Sequence, residues 1–211
     1  MARHLFEMAC HAFYRIVDGT LEIDGVRMHP AGASPQAAAK AMVARLRLRR
    51  GGRVLDVCTG LGYTAIAEAA EGCSVVTVEV DERVVEAARS NPASAGLFGN
   101  PLVKRFLGDA LSFVASLEAA GFDAVLHDPP RFSFAGELYS QAFYEELFRV
   151  LKPGGVLFHY TGKPGEKRGV SFRKGVAERL RAAGFIGVAW CEAEQGFSAL
   201  RPAGARRRGG R

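Results

Sequence analysis

Val54-Leu55-Asp56-Val57-Cys58-Thr59-Gly60-Leu61-Gly62-Tyr63-Thr64 is an apolar run that breaks into small residues and resumes with a helical pattern. The apolar, partly β-branched residues up to Val57 read as a buried strand. Gly60 and Gly62 suit a tight turn and let a ligand approach the main chain. A helix beginning at Tyr63 offers the free N–H groups of its first turn. Strand, glycine turn and helix in that order predict one unit of an open α/β sheet with a ligand at the turn.

Outward from this unit the chain keeps alternating. Strand-like runs are Arg53–Val57, Ser74–Val80, Leu102–Leu107, Ala124–His127, Val156–Tyr160, Ile186–Ala193 and Phe197–Leu200. Helix-like runs are Tyr63–Glu71, Glu82–Ser90, Ala110–Ala120, Glu137–Leu151 and Val170–Ala183. Helices between the first five strands require parallel crossovers. The last two strands are joined only by Glu194-Gln195-Gly196, too short for anything but an antiparallel hairpin. The prediction is an α/β fold: a Rossmann-like, doubly wound, mostly parallel seven-stranded sheet with an antiparallel last strand.

Upstream, Ser34-Pro35 opens a helix that runs toward Gly51-Gly52. Before it, Asp18-Gly19 and Asp24-Gly25 separate the runs Phe13–Val17, Thr20–Ile23 and Val26–His29, the pattern of a small β-meander closed by Pro30. Met1–Ala12 reads as a short helix. The expected division is a meander extension over 1–33, a ligand-binding domain over 34–202 and a basic tail over 203–211.

Nearly half of the 211 residues are hydrophobic, which suits one domain with a core. No apolar run reaches the roughly 18 residues a membrane span needs, and the first residues lack a signal-peptide pattern. Cys10, Cys58, Cys73 and Cys191 form no CxxC pair, so neither a metal site nor a disulfide framework is expected, and a cytoplasmic location follows. Of the net charge of +6, four charges sit on Arg206, Arg207, Arg208 and Arg211, leaving +2 for the rest. That tail is either a solvated end or a phosphate-binding arm for RNA or DNA.

The acids decide the ligand. Gly60-x-Gly62-x-x-Ala65 fits a dinucleotide fingerprint as well. A carboxylate at Asp56, however, repels a pyrophosphate and suits S-adenosylmethionine (SAM), a sulfonium with a free amino group; its other reading is a hydrogen bond to the turn. Glu79, ending the second strand, can accept ribose hydroxyls, and Val80 follows it. Asp81 reads as a helix cap. Asp109 and Ala110 follow the third strand, where Asp109 can accept from an adenine amino group, cap the next helix, or do both.

The fourth strand ends in His127-Asp128-Pro129-Pro130-Arg131-Phe132. The prolines stiffen the loop and remove two N–H donors, and Asp128 is placed at the reacting group. His127 reads as a core histidine. His159 and Tyr160 are candidates to border a substrate pocket, and Phe132, Phe134 and Tyr139 either line it or pack under the next helix. Lys163, Lys167 and Arg168 are either a phosphate contact or a solvated loop.

Asp56–Gly62, Glu79, Gly108-Asp109, Asp128-Pro129-Pro130 and Leu151-Lys152-Pro153-Gly154-Gly155 together resemble, in order and spacing, the class I SAM-dependent methyltransferase superfamily over about residues 52–201. The resemblance implies that Asp56, Cys58, Thr59, Gly60 and Gly62 hold the methionine part of SAM. It places Glu79 and Val80 on the ribose, Asp109 and Ala110 on the adenine, and Asp128 beside the transferred methyl. Asp128, Pro129 and Phe132 are the expected catalytic residues. One departure is Cys58, where the superfamily usually has glycine. Asp-Pro-Pro with a nearby aromatic implies an amino nitrogen as acceptor, on a nucleic-acid base or another amine, although Arg131 stands in the usual aromatic place. The meander and Val78-Glu79-Val80-Asp81-Glu82-Arg83-Val84-Val85 resemble spermidine synthases, which implies an alternative: aminopropyl transfer from decarboxylated SAM. Pro129-Pro130 stand where that enzyme has acids. A nicotinamide-dependent oxidoreductase and a non-catalytic RNA-binding scaffold are further readings. RNA or a small amine is the expected partner, with a homodimer possible; no metal is expected.

Overall fold

In the computed structural model the described residues are 13–29, 33–162 and 166–204, without the side chains of 166–171. The expected helix over Met1–Ala12, Pro30, the Lys163, Lys167 and Arg168 side chains and the tail arginines lie outside them.

The chain runs β1 (Tyr14–Val17), β2 (Thr20–Ile23), β3 (Val26–Arg27), α1 (Pro35–Ala44), β4 (Arg53–Val57), α2 (Tyr63–Ala70), β5 (Ser74–Glu79) and α3 (Glu82–Ser90). It continues with α4 (Ala95–Gly99), β6 (Val103–Leu107), α5 (Ala110–Ser116), β7 (Phe122–His127), α6 (Gln141–Val150), β8 (Leu151–Tyr160), α7 (Glu166–Ala182), β9 (Ile186–Cys191) and β10 (Gly196–Leu200). Seven strands form one sheet in the order β6-β5-β4-β7-β8-β10-β9. The first five are parallel, and β10 lies antiparallel between β8 and β9. The predicted α/β fold is the observed one. The order reverses between β4 and β7, and their register sets Val57 beside His127. Loops leaving the carboxyl ends at such a reversal diverge and leave a crevice.

Three differences from the expected elements have local causes. α1 is capped by Ser34, which accepts from the Ala37 N–H, but it stops at Ala44, and Arg47 takes a left-handed φ of 51°. The run Glu137–Leu151 is a 3₁₀ turn over Gly136–Tyr139 and then α6, because Ser140 caps a new helix start by accepting from the Phe143 N–H. β8 begins at Leu151, before the expected Val156. Gly154 has a φ of 81° and exchanges main-chain hydrogen bonds with Arg201 together with Gly155, so Pro153-Gly154-Gly155 sits inside the strand as an irregularity.

The segment Pro92–Gly99, outside the helices expected from the sequence, forms a 3₁₀ turn capped by Asn91 and then α4, and it holds the glycine turn. Leu97 is buried against Gly62, whose φ of 79° opens α2. A Cβ built on Gly62 would meet Leu97 Cδ2 at 2.6 Å. A buried polar chain ties the same region to the meander. Ser94 Oγ donates to the Leu61 carbonyl (2.7 Å), Asn91 Nδ2 donates to Ser94 Oγ and to Tyr63 Oη, and Tyr63 Oη donates to the Gly19 carbonyl (2.7 Å). The meander turns at Asp18-Gly19 and Asp24-Gly25, all at positive φ as hairpin turns of this kind require. Leu21 is buried among Ala39, Leu61 and Tyr63.

Behind the reversal the core holds an imidazole pair. His127 and His159 are fully buried and stack with centroids 4.4 Å apart. His127 Nε2 faces the Leu138 carbonyl at 3.0 Å and must carry the proton there, since a carbonyl only accepts. By the same reasoning His159 Nδ1 donates to the His127 carbonyl (3.2 Å) and its Nε2 accepts from Tyr144 Oη (2.9 Å). Burial keeps both rings neutral, lowering the His127 pKa to about 4 and the His159 pKa well below its usual value. His127 is a core residue, as read, and His159 belongs to the core beside it.

Gly62→Ala is expected to destabilise the fold by about 2 kcal/mol or more, from the Leu97 overlap and the left-handed backbone together; urea unfolding measures it, and a near-neutral result would refute the packing role. For His127 the folded pKa lies below the unfolded value of about 6.5. Its contribution to stability is complete above about pH 6.5 and is lost as pH falls toward 4. Asp56 and Asp128, raised to about 7, act in the opposite sense over part of that range, so the test is a difference between proteins. His127→Phe should gain on the wild type by about 1.4 kcal/mol per pH unit as pH falls through this window. Unfolding curves at a series of pH values decide it, and a pH-independent difference would count against the neutral imidazole.

Candidate active site

The turn after β4 is shaped by three residues at positive φ: Cys58 (73°), Gly60 (53°) and Gly62 (79°). Cysteine in the left-handed region costs about 1–2 kcal/mol, which gives a physical reason for a glycine preference at that place. The three positions serve different ends. Gly62 is there for Leu97. A Cβ on Gly60 would meet nothing within 4 Å, and the same holds for Gly108 after β6, so both leave main chain open to a ligand.

Glu79 braces the turn from the neighbouring strand end. Its Oε2 accepts from the Gly60 N–H (2.9 Å), and its Oε1 accepts from the Val80 and Asp81 N–H groups (2.9 and 3.1 Å). Burial raises its pKa, while these three amides oppose the rise. Asp81 caps α3, as expected, by accepting from the Arg83 N–H. It also accepts from Tyr14 Oη, which ties the meander to this strand end. Asp109 caps α5 through Ser112 (2.9 Å) with Oδ2. Its neighbour Ala110 is buried, whereas Val80 and Leu107 stay 57% and 58% exposed as apolar surface at the ends of β5 and β6. A cavity of about 370 Å³ opens beside them, lined by Thr59, Gly60, Glu79, Leu97, Leu107 and residues of α3.

Asp56 is placed deeper than its neighbours. It is fully buried, and its Oδ1 accepts from Thr77 Oγ1 at 2.8 Å. Thr77 Oγ1 is also 2.6 Å from Thr59 Oγ1. Since the Thr77 proton points to the carboxylate, Thr59 donates to Thr77. Asp56 thus reaches the turn through two hydroxyls.

Asp128 follows β7 directly across the reversal. Its N–H donates to the Val57 carbonyl (3.1 Å), which pins the loop to the end of β4. Its carboxylate has no hydrogen-bond partner among the described residues; burial, with Asp56 as a nearby like charge, raises its pKa to about 7. Glu79, Asp128, Asp56 and Asp109 all act electrostatically on the Cys58 thiol, whose pKa burial pushes well up. The four acids singled out in the sequence therefore surround one turn, and Cys58 stays a thiol.

The loop is walled by aromatics. Pro129 is buried and Pro130 exposed, with the Pro130 carbonyl accepting from Tyr139 Oη (2.9 Å). Phe132, 51% exposed, meets Tyr139 and Phe172 edge-on, each at 5.5 Å. Tyr160 is close enough that Asp128 helps raise its pKa to about 12, second to burial. Arg131 and Phe134 point to solvent. Sequence reading missed the Thr59–Thr77–Asp56 chain and Tyr139 as the clasp of the proline loop. Threonines in strands are common, so neither carried a signal; both depend on strand register. Among the described residues no group of three or more His, Cys, Asp or Glu could hold a metal, and no helix is long and apolar enough to cross a membrane.

Comparisons with known proteins bear on the family and the fold. The spermine/spermidine synthase domain model matches residues 68–178. The uncharacterized protein MJ1233 of Methanocaldococcus jannaschii is 45% identical over 91% of this chain and 68% of its own length. A protein-L-isoaspartate O-methyltransferase of Methylorubrum populi is 32% identical over 94% of this chain and 85% of that protein. Putrescine N-methyltransferase 4 of Nicotiana tabacum is 31% identical over 50% of this chain and 28% of that protein. A spermidine synthase crystal structure, in complex with the transition state analogue AdoDATO, superposes with a TM-score of 0.68 at 18% identity, over 86% of this chain and 64% of that one. This chain thus spans less than two thirds of that synthase, and the likeness concerns the fold. The sheet is of the class I SAM methyltransferase type, and the chain belongs to the spermine/spermidine synthase domain family.

Proposed function

We propose that the protein is a SAM-dependent methyltransferase acting on an amino nitrogen, of a nucleic-acid base or of a small amine. The observation that carries this reading is the Asp128 carboxylate, without a partner among the described residues, in a loop that contributes no proline N–H and is walled by Phe132 and Tyr139.

The site fits a cationic nucleoside cofactor. Gly60 and Gly108 leave main chain open, four acids surround the turn, and Val80 and Leu107 offer apolar surface to a planar base. Glu79 would hold the ribose, Asp109 and Ala110 would border the adenine, and the turn from Cys58 to Gly60 would hold the amino-acid end. When bound, SAM supplies a methyl group activated by its sulfonium.

This chain's residues then have to orient an amine and remove its proton. Asp128 accepts an N–H of the acceptor, which fixes the direction of the nitrogen lone pair, and takes that proton as the new N–C bond forms. A pKa near 7 suits a base at neutral pH. Pro129 has no N–H to compete for the lone pair. Phe132 and Tyr139 cover the acceptor and exclude water.

A second reading, aminopropyl transfer from decarboxylated SAM, is favoured by the family match over 68–178. One experiment separates the two. Purified protein is incubated with SAM or decarboxylated SAM and with RNA, protein or small-amine fractions, and products are analysed by mass. A methyl increment from SAM is expected, and an aminopropyl increment from decarboxylated SAM alone would overturn the proposal. Within the methyl reading, Asp128→Asn is expected to lower kcat/KM by about 10²–10⁴-fold with SAM affinity largely kept. In the wild type kcat/KM should rise with pH through about 7, as the carboxylate forms, and the variant should lose that limb.

A further inference from the structure

The positive charge of this chain is unevenly placed. The segment that forms α7, Glu166–Ala182, has six lysines and arginines against two glutamates. Its excess and that of Arg206, Arg207, Arg208 and Arg211 together exceed the net charge of +6, so the remainder of the chain is net negative. On α7, Arg173, Lys174, Ala177 and Arg181 fall on one face, because residues three and four apart are neighbours on a helix. With Trp190 of β9 and Phe197 of β10 they line an open groove of about 460 Å³.

The groove continues the aromatic wall of the acceptor loop. His127, His159, Phe197 and Trp190 stand opposite one another on the successive strands β7, β8, β10 and β9. Directly opposed residues project to the same face of a sheet, so Trp190 lies in the row that ends β7, about 15 Å (three strand spacings) from it. Asp128 follows that row, and Phe172, which precedes Arg173 on α7, meets Phe132 at 5.5 Å and Tyr139 at 5.7 Å. The cations of the groove are held along it. The Arg173 guanidinium lies over the Trp190 ring, 4.7 Å from its centroid, and Arg181 Nη2 donates to the Val188 carbonyl of β9 (3.5 Å). Two acids accompany them: Glu192 accepts from Trp190 Nε1 and pairs with Arg173 at 3.6 Å, and Glu178 pairs with Lys174 at 3.8 Å. The side chains of Glu192 and Glu178 are 68% and 60% exposed, so these pairs are screened by water and yield to a stronger anion.

We infer that this groove binds the phosphate backbone of a single-stranded nucleic acid, one base of which reaches the Asp128 loop. This rests on the reading of that loop as the acceptor site for an amino nitrogen, and it narrows the acceptor to a base. Arginine presents a planar fork that matches a phosphate, and two of the three groove cations are arginines. A basic track beside aromatic faces is how single strands are held, the phosphates on the cations and the bases against the rings. The strand has to be unpaired, because a base within a duplex keeps its amino group in the stack. A cationic small amine would be repelled by α7, and so would the arginine-rich end of the chain itself.

The test uses the full chain and fluorescein-labelled RNA and DNA strands of mixed sequence, about 12 nucleotides long to cover one single-strand site. Binding is read by anisotropy over a series of salt concentrations. The triple variant Arg173→Gln, Lys174→Gln, Arg181→Gln should bind about 10–100-fold more weakly at physiological salt, and its slope of log affinity against log salt should be shallower by about 2, three phosphate contacts at about 0.7 each. Removing residues 205–211 from both proteins should leave that difference in place. Ultraviolet crosslinking of the RNA followed by peptide mapping should mark the segment 172–190 in the parent. Circular dichroism and calorimetric SAM binding establish that the variant is folded with its cofactor site intact. The inference is overturned if neither strand binds, if the variant matches the parent in affinity and slope, or if poly-glutamate of equal length displaces the RNA as well as unlabelled RNA does, which would point to an acidic protein. Methyl transfer to a small amine with no strand bound would sink the groove and keep the functional reading. Groove-dependent binding of a strand without methyl transfer to any nucleic acid would keep the groove and sink the functional reading.

Discussion

The parallel pairing of β4 with both β5 and β7 is the constraint on which the site depends. Val57 sits in register with Val78 on one side and His127 on the other. This puts three strand ends at one level, and the chain must leave β4 and β7 in opposite directions. The Asp128 N–H then bonds to the Val57 carbonyl, joining the two loops at their roots. Without that register the glycine turn, Glu79 and Asp128 would be three unrelated loop features.

From this crevice, charge and packing divide the work. Glu79 spends both carboxylate oxygens on main-chain N–H groups, so it braces the turn as well as facing the cavity. Asp109 caps a helix with one oxygen. Asp56 is sealed below, and Asp128 alone among the four has a carboxylate with no protein partner in the described structure. Four acids act on a single buried thiol at this turn, and burial keeps the charges of Asp56, Asp128 and Glu79 in check, while Arg89 and Arg105 line the cavity on its other side. The aromatic wall of Phe132, Tyr139 and Phe172 comes from three separate segments, and the Tyr139 hydroxyl clasps the proline loop to the next helix. Behind it the neutral imidazole pair fills the sheet without bringing charge near the Asp128 loop.

Family membership narrows the chemistry to transferases built on a SAM-type fold, and it leaves methyl and aminopropyl donors as neighbouring possibilities. They differ in what the amino-acid end of the cofactor carries and in how the acceptor amine is gripped. The proposed methyl reading leans on the Asp128-Pro129-Pro130 loop, in which one acid is followed by two prolines.

The sequence by itself determined the order of strands and helices, the parallel class of the sheet, its antiparallel closing hairpin and the four acids. These rest on short-range patterns: alternation, turn residues and cap residues. Only the tertiary structure decided what each glycine and each acid is for. Gly60 and Gly62 look equivalent in the chain, yet one faces open space and the other faces Leu97, a residue thirty-five positions on. Asp56 and Asp128 are both acids after apolar runs, yet one is tied to Thr77 across the sheet and the other has a carboxylate without a partner among the described residues. Glu68 is a polar residue in an alanine-rich helix, and only the packing of that helix against the sheet buries it completely. Contacts between residues distant in sequence are fixed by strand register and helix packing, and no local pattern encodes them.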